Sequence, residues 1–182
     1  LLSGCSKEDR IERYLERGQA LYEEGNLVKA QLEFKNVLQI EPRHAQAWFM
    51  IGRIADEEQN RPQAFEAYSR AAEFDPDNHR ARVRRGMLLL SRGRPEEAAD
   101  EAAAVLAARP DDPAALALRG GVRRAQGDVD AAVADALAAL AVDPDQLEAL
   151  SLLAQLHLEQ GQVPAAQAVL EQAVSAYPQD PS

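Results

Sequence analysis

The side chains that most invite chemistry are His44, His79 and His157, the single cysteine Cys5, and the hydroxyls of Ser91 and Ser151. A serine or thiol nucleophile needs a base within reach and a third group to orient that base. No histidine and acid are placed to activate Ser91 or Ser151, and His44 and His79 fall in short links next to prolines. No histidine–cysteine grouping has metal-ligand spacing. The glycines do not cluster into a phosphate-cradling loop but recur at wide, regular intervals. The chain is therefore expected to be non-catalytic, with no metal and no cofactor. What remains to explain is the regular spacing of the glycines.

That spacing is a period of about 34 residues, repeated five times without insertion or deletion. Gly18, Gly52, Gly86 and Gly120 mark one register, with Ala154 in the fifth copy. Ala30, Ala64, Ala98, Ala132 and Ala166 mark a second, and each copy closes on Pro42, Pro76, Pro110, Pro144 or Pro178. A repeat of this length marks stacked supersecondary units that cannot bury their apolar faces alone. In the second copy, Ala45, Trp48, Ile51, Gly52 and Ala55 recur at three- and four-residue steps and predict one helix. Pro62 suits the first turn of a new helix, whose stripe is Ala64, Phe65, Tyr68, Ala71 and Ala72, and which ends before Pro76. Gly52 and Ala64 are expected where the paired helices come closest. Gly25, Gly93, Gly127 and Gly161 suit turns that need a left-handed backbone.

Composition agrees with a packed helical array: 46% hydrophobic residues, mostly alanine and leucine, and only 5% aromatic. No stretch approaches the ~18 apolar residues of a membrane-spanning helix. A net charge of −10 argues against nucleic acid as a partner, since phosphate contacts need clustered lysine and arginine. Charge is uneven: the third copy has seven arginines against six acids, while the fifth has four acids and no base.

The residue set resembles the tetratricopeptide repeat (TPR), with Trp48, Ile51, Gly52, Ala55, Ala64, Tyr68, Ala71 and Pro76 of the second copy on the pattern's positions. The resemblance implies an all-α, right-handed superhelical solenoid of five helix–turn–helix units: residues 11–44, 45–78, 79–112, 113–146 and 147–180, after a tether at 1–10. Arg17, Arg85 and Arg119 depart from the pattern at its seventh position, Arg82 at the fourth, and Arg123 and His157 at the eleventh. The arginines are expected to lay their stems on apolar surface and keep their heads in water. The resemblance further implies that first helices line a concave, partner-binding face. On it, Tyr22, Phe49, Val83, Met87 and Leu90 would form an apolar track edged by Arg53, Arg80 and Arg84. The alternative is that these side chains make contacts within the repeats, displaced by one helical step. A carboxylate clamp is not expected, because Leu15, Gln19 and Met50 replace three of its five residues.

Ahead of the repeats, Leu2-Ser3-Gly4-Cys5-Ser6 resembles the lipobox of bacterial lipoproteins, which implies lipid attachment at Cys5 and, with Ser6 following, the periplasmic face of the outer membrane. The last helix, near residues 163–176, is expected to present apolar side chains without a following cap, as in a longer array. The combined expectation is a lipid-anchored scaffold that holds protein or peptide segments, with no small-molecule substrate. The first copy is similar to the TPR lipoproteins of exosortase (PEP-CTERM) and exopolysaccharide systems. The alternatives are an outer-membrane assembly or secretion-system biogenesis lipoprotein, and a cytoplasmic adaptor in which Cys5 is incidental.

Overall fold

The computed structural model describes residues 6–177. Among them are ten α-helices and no strand: α1 (Lys7–Glu23), α2 (Leu27–Ile40), α3 (Ala45–Glu57), α4 (Arg61–Phe74), α5 (His79–Ser91), α6 (Pro95–Ala108), α7 (Pro113–Ala125), α8 (Val129–Val142), α9 (Leu147–Glu159) and α10 (Val163–Ala176). Cys5 and the closing Pro178 lie outside the described residues. Helix α1 begins earlier than the expected tether allows. Ser6 caps it by accepting from the Asp9 amide at 3.0 Å, and the Asp9 carboxylate accepts from the Ser6 amide at 2.8 Å. This reciprocal capping box makes residues 7–10 the first turn of the helix.

Local chemistry sets the other boundaries. Asn26, Asn60, Asp112 and Asp128 each accept a hydrogen bond from the backbone amide three residues on, capping α2, α4, α7 and α8. His44 does the same for α3 through Nδ1, at 3.3 Å from the Ala47 amide. The turns within the helix pairs take a left-handed residue, Gly25, Gly93, Gly127 and Gly161 at φ of 69–84°. Gln59 occupies the equivalent place at φ 57° and is the one non-glycine residue with positive φ among those described.

Contacts divide the chain into two compact units, at Arg84/Arg85 within α5. In the first unit α1 packs on α2, α2 on α3, and α3 on α4. Its core centres on Phe34, Ile54 and Tyr68, all essentially inaccessible. Each contributes on the order of 1.5–3 kcal/mol by leaving water. Gly52 is required there: a Cβ on it would stand 2.6 Å from Cε1 of the Tyr68 ring. In the second unit α6 packs on α7, α7 on α8 and α9, α8 on α9, and α9 on α10. Ala132 and Ala136 of α8 are covered by Leu152, Leu153 and Leu156 of α9, with Val169 of α10 packed alongside. Gly120 lets Leu152 approach, its virtual Cβ lying 2.7 Å from Leu152 Cδ2. On α10 Ala166 is buried, while Leu170 and Val174 are exposed.

The arginines that depart from the repeat pattern are not simply solvated. Arg17 pairs with Glu33 at 3.2 Å, Arg85 with Glu101, and Arg119 with Asp135 at 2.6 Å. Each acid lies 16 residues on, on the second helix of the same repeat. The heads form a latch across the helix pair. Arg123 joins the last of these, 2.8 Å from the other Asp135 oxygen. Arg82 has a different role: its Nε donates to the Pro76 carbonyl at 2.8 Å, as the Trp48 indole does to the Pro42 carbonyl one repeat earlier. A planar N–H donor at that position anchors the inter-repeat link in both cases.

Candidate peptide-binding faces

In the first unit the expected track is filled by the protein's own side chains. Phe49 and Val83 retain only 7% and 4% of their exposure. The Phe49 ring packs 5.7 Å from that of Tyr68, and the Arg80 guanidinium lies 5.0 Å above it. Arg53 lies 4.5 Å over the Tyr22 ring, and the Tyr22 hydroxyl donates to Glu57. Burial, then this bond to Glu57, push the Tyr22 phenol above its ordinary value. Phe49 and Val83 are therefore corrected from open anchors to buried packing residues: stacking lets each arginine cover a ring while its N–H edges stay wet. Tyr68 is fixed from the same side, its hydroxyl donating to Asp56 at 2.7 Å. Burial first, and then that bond, push its phenol far above the tyrosine range. Arg84 is exposed.

The second unit keeps an open groove. Met87, Leu90 and Ser91 of α5, Ala117, Gly121 and Arg124 of α7, and Leu147, Glu148, Ser151 and Gln155 of α9 enclose about 470 Å³. Its surface is mostly apolar, and small residues make the floor. Gly121 admits Leu90, whose Cδ2 would meet a Cβ there at 2.8 Å. Arg124 closes one side, held by Glu159 through Nε at 2.9 Å and Nη2 at 2.6 Å. Hydrogen bonding to Arg124 holds the exposed Glu159 carboxyl below the ordinary carboxylate range.

Of the eight residues expected on the binding face, only Met87 and Leu90 line this groove. Tyr22 with Arg53, and Phe49 with Arg80, form closed stacks in the first unit. Leu147 was missed because it begins a helix, at a position where the pattern predicts nothing. Ala117, Gly121 and Ser151 line the groove too, and being small they carry no anchor-like signal in the sequence.

The Ser91 hydroxyl donates to the Leu88 carbonyl of its own helix at 2.9 Å, and His157 Nδ1 is 2.7 Å from Gln162 Oε1. No group of three or more potential metal ligands occurs among the described residues.

Residues 8–136 match the family model described as the cytochrome c-type biogenesis protein H TPR domain, and residues 123–182 match a tetratricopeptide repeat model. No curated protein matches the sequence. Among solved structures, a thermophilic TPR protein of Thermus thermophilus aligns with a TM-score of 0.75 at 23% identity, covering 93% of each chain. PilW, described as a widely conserved type IV pilus biogenesis factor, aligns at 0.76 and 21% identity over 91% of this chain and 77% of its own. YrrB, described as a TPR protein with an unusual peptide-binding site, aligns at 0.64 and 17% identity over 91% and 86%. At these identities the likeness is one of fold.

Proposed function

We propose, from the premise that the chain belongs to the tetratricopeptide-repeat family of the cytochrome c-type biogenesis protein H type, that its second unit holds a partner segment in the apolar groove between α5, α7 and α9. The chain is a protein-interaction scaffold of TPR type. The observation that carries the assignment of the site is the open, largely apolar groove of about 470 Å³. Ligand clefts are typically of this size and character. The first unit, with its aromatic residues already covered by Arg53 and Arg80, supports the array.

The scaffold is anchored by lipid at Cys5 and faces the periplasm from the outer membrane. The lipobox-like Leu2-Ser3-Gly4-Cys5 supports this, and so does Ser6 at the position after the cysteine. An anchor there would hold the first helix at the bilayer surface and raise the local concentration of any client. The cytochrome c-type biogenesis role named for the matched domain favours a biogenesis process over exopolysaccharide export as the one served.

Selection of a random peptide display library against the chain tests the groove. Enriched peptides should lose binding to the Ser151→Trp variant, in which an indole fills the groove, while its helical circular dichroism is unchanged. Enriched peptides that bind Ser151→Trp as well as wild type would remove the groove from the function. Metabolic labelling with radioactive palmitate tests the anchor: label is expected on wild type and lost in Cys5→Ala.

A further inference from the structure

The charge around the groove determines what kind of segment it can take. Residues 85–182 hold seven arginines and no lysine against fifteen carboxylates, a formal charge of −8 out of the chain's −10. Among the described residues, six of those seven arginines are already held by a carboxylate of the same unit. Arg124, the one cation lining the groove, is among them, paired to Glu159. The other charged residue on the lining is Glu148. A partner approaching this unit therefore meets a net negative charge, with most of the cations that could answer an acidic segment already engaged. A field of one sign around a low-dielectric cleft selects for opposite charge and speeds its arrival.

The groove itself selects for something else. Met87, Leu90 and Leu147 form apolar walls, and Ala117 and Gly121, one turn apart on α7, form a shallow floor onto which Leu90 packs. Such a surface takes apolar anchors spaced along one face of a helix. We propose that the partner of this groove is a cationic amphipathic segment, apolar on the side that enters and rich in lysine and arginine on the side that faces out. This rests on the groove being the binding site.

Three synthetic helical peptides with the same leucine stripe and either lysine, glutamine or glutamate on the opposite face are titrated into the purified chain by fluorescence anisotropy. The lysine peptide should bind roughly tenfold or more tightly than the glutamine peptide, and the glutamate peptide should not bind. Raising NaCl from about 50 to about 500 mM should erase most of that preference, because the screening length falls severalfold. Ser151→Trp should abolish binding of the lysine peptide. Equal binding of the three peptides, still lost in Ser151→Trp, would overturn the charge preference and leave the groove standing. Lysine-peptide binding that survives Ser151→Trp would show attraction to the acidic surface alone and overturn the proposal. Failure of all three peptides to bind would remove the groove reading along with it.

Discussion

Asp135 offers the sharpest test of how the helix pairs are held. Its side chain is 4% exposed and sits between two guanidinium groups, Arg119 at 2.6 Å and Arg123 at 2.8 Å. Hydrogen bonding to Asp135 raises the Arg119 guanidinium above its ordinary value. Removing one partner of a buried ion pair typically costs about 3–5 kcal/mol, because the remaining charge is stranded. Here the arginine heads are 38% and 34% exposed and can partly rehydrate. Alanine also gains some helix propensity, so Asp135→Ala should cost about 2 kcal/mol. That corresponds to a fall of roughly 4–8 °C in Tm for a chain of this size. The protein carries its own control. In the second repeat the positions of Arg119, Arg123 and Asp135 are held by Ile51, Ala55 and Ala67, all buried. The triple variant Arg119→Ile, Arg123→Ala, Asp135→Ala therefore transplants a packing solution that already works, and should return to within about 1 kcal/mol of wild type. Repeat arrays can open unit by unit, so hydrogen exchange at α7 and α8 should be read beside thermal melting. Asp135→Ala should speed exchange there roughly thirtyfold. A neutral Asp135→Ala would refute the latch, and a triple variant as unstable as the single one would refute its equivalence to the apolar pair.

Three further outcomes follow from the same geometry. Phe49→Ala removes a buried ring and should cost about 3–5 kcal/mol by urea unfolding. Arg80→Ala, which uncovers that ring, should cost under about 1 kcal/mol. The reverse order would restore Phe49 as a surface residue. Tyr68 keeps its proton in the folded state beyond the ordinary phenol value near 10. Its contribution to stability is therefore complete below that pH and is lost as pH rises above it. Spectrophotometric titration should show one tyrosine ionising only with unfolding, and Tyr68→Phe should remove that late step at a neutral-pH cost of about 1 kcal/mol. Glu159 should titrate below the ordinary glutamate value by NMR and move up in Arg124→Ala or in high salt, since hydrogen bonding to Arg124 is what depresses it.

The period, the helix–turn–helix unit and the turn glycines were legible because each repeats: five copies of one pattern average out local accidents of propensity. The side chains of the proposed binding face were not, because that face is built from the positions where the copies differ. Phe49 has the type and position of an anchor, and only the fold shows that Arg80 lies over it. The arginine latches, by contrast, leave a trace in the sequence. Wherever the seventh position is arginine, at Arg17, Arg85 and Arg119, an acid stands 16 residues on, at Glu33, Glu101 and Asp135. Where it is Ile51 or Leu153, the partner is Ala67 or Val169. Comparing the copies with one another, instead of each with the family pattern, makes that exchange visible as a contact. A charge departing from a repeat consensus is thus better read together with the residue facing it across the helix pair than as a solvated exception. The groove carries a related lesson. Ala117, Gly121 and Ser151 line it with side chains too small to stand out in a sequence, and their place on the lining is visible only in the fold.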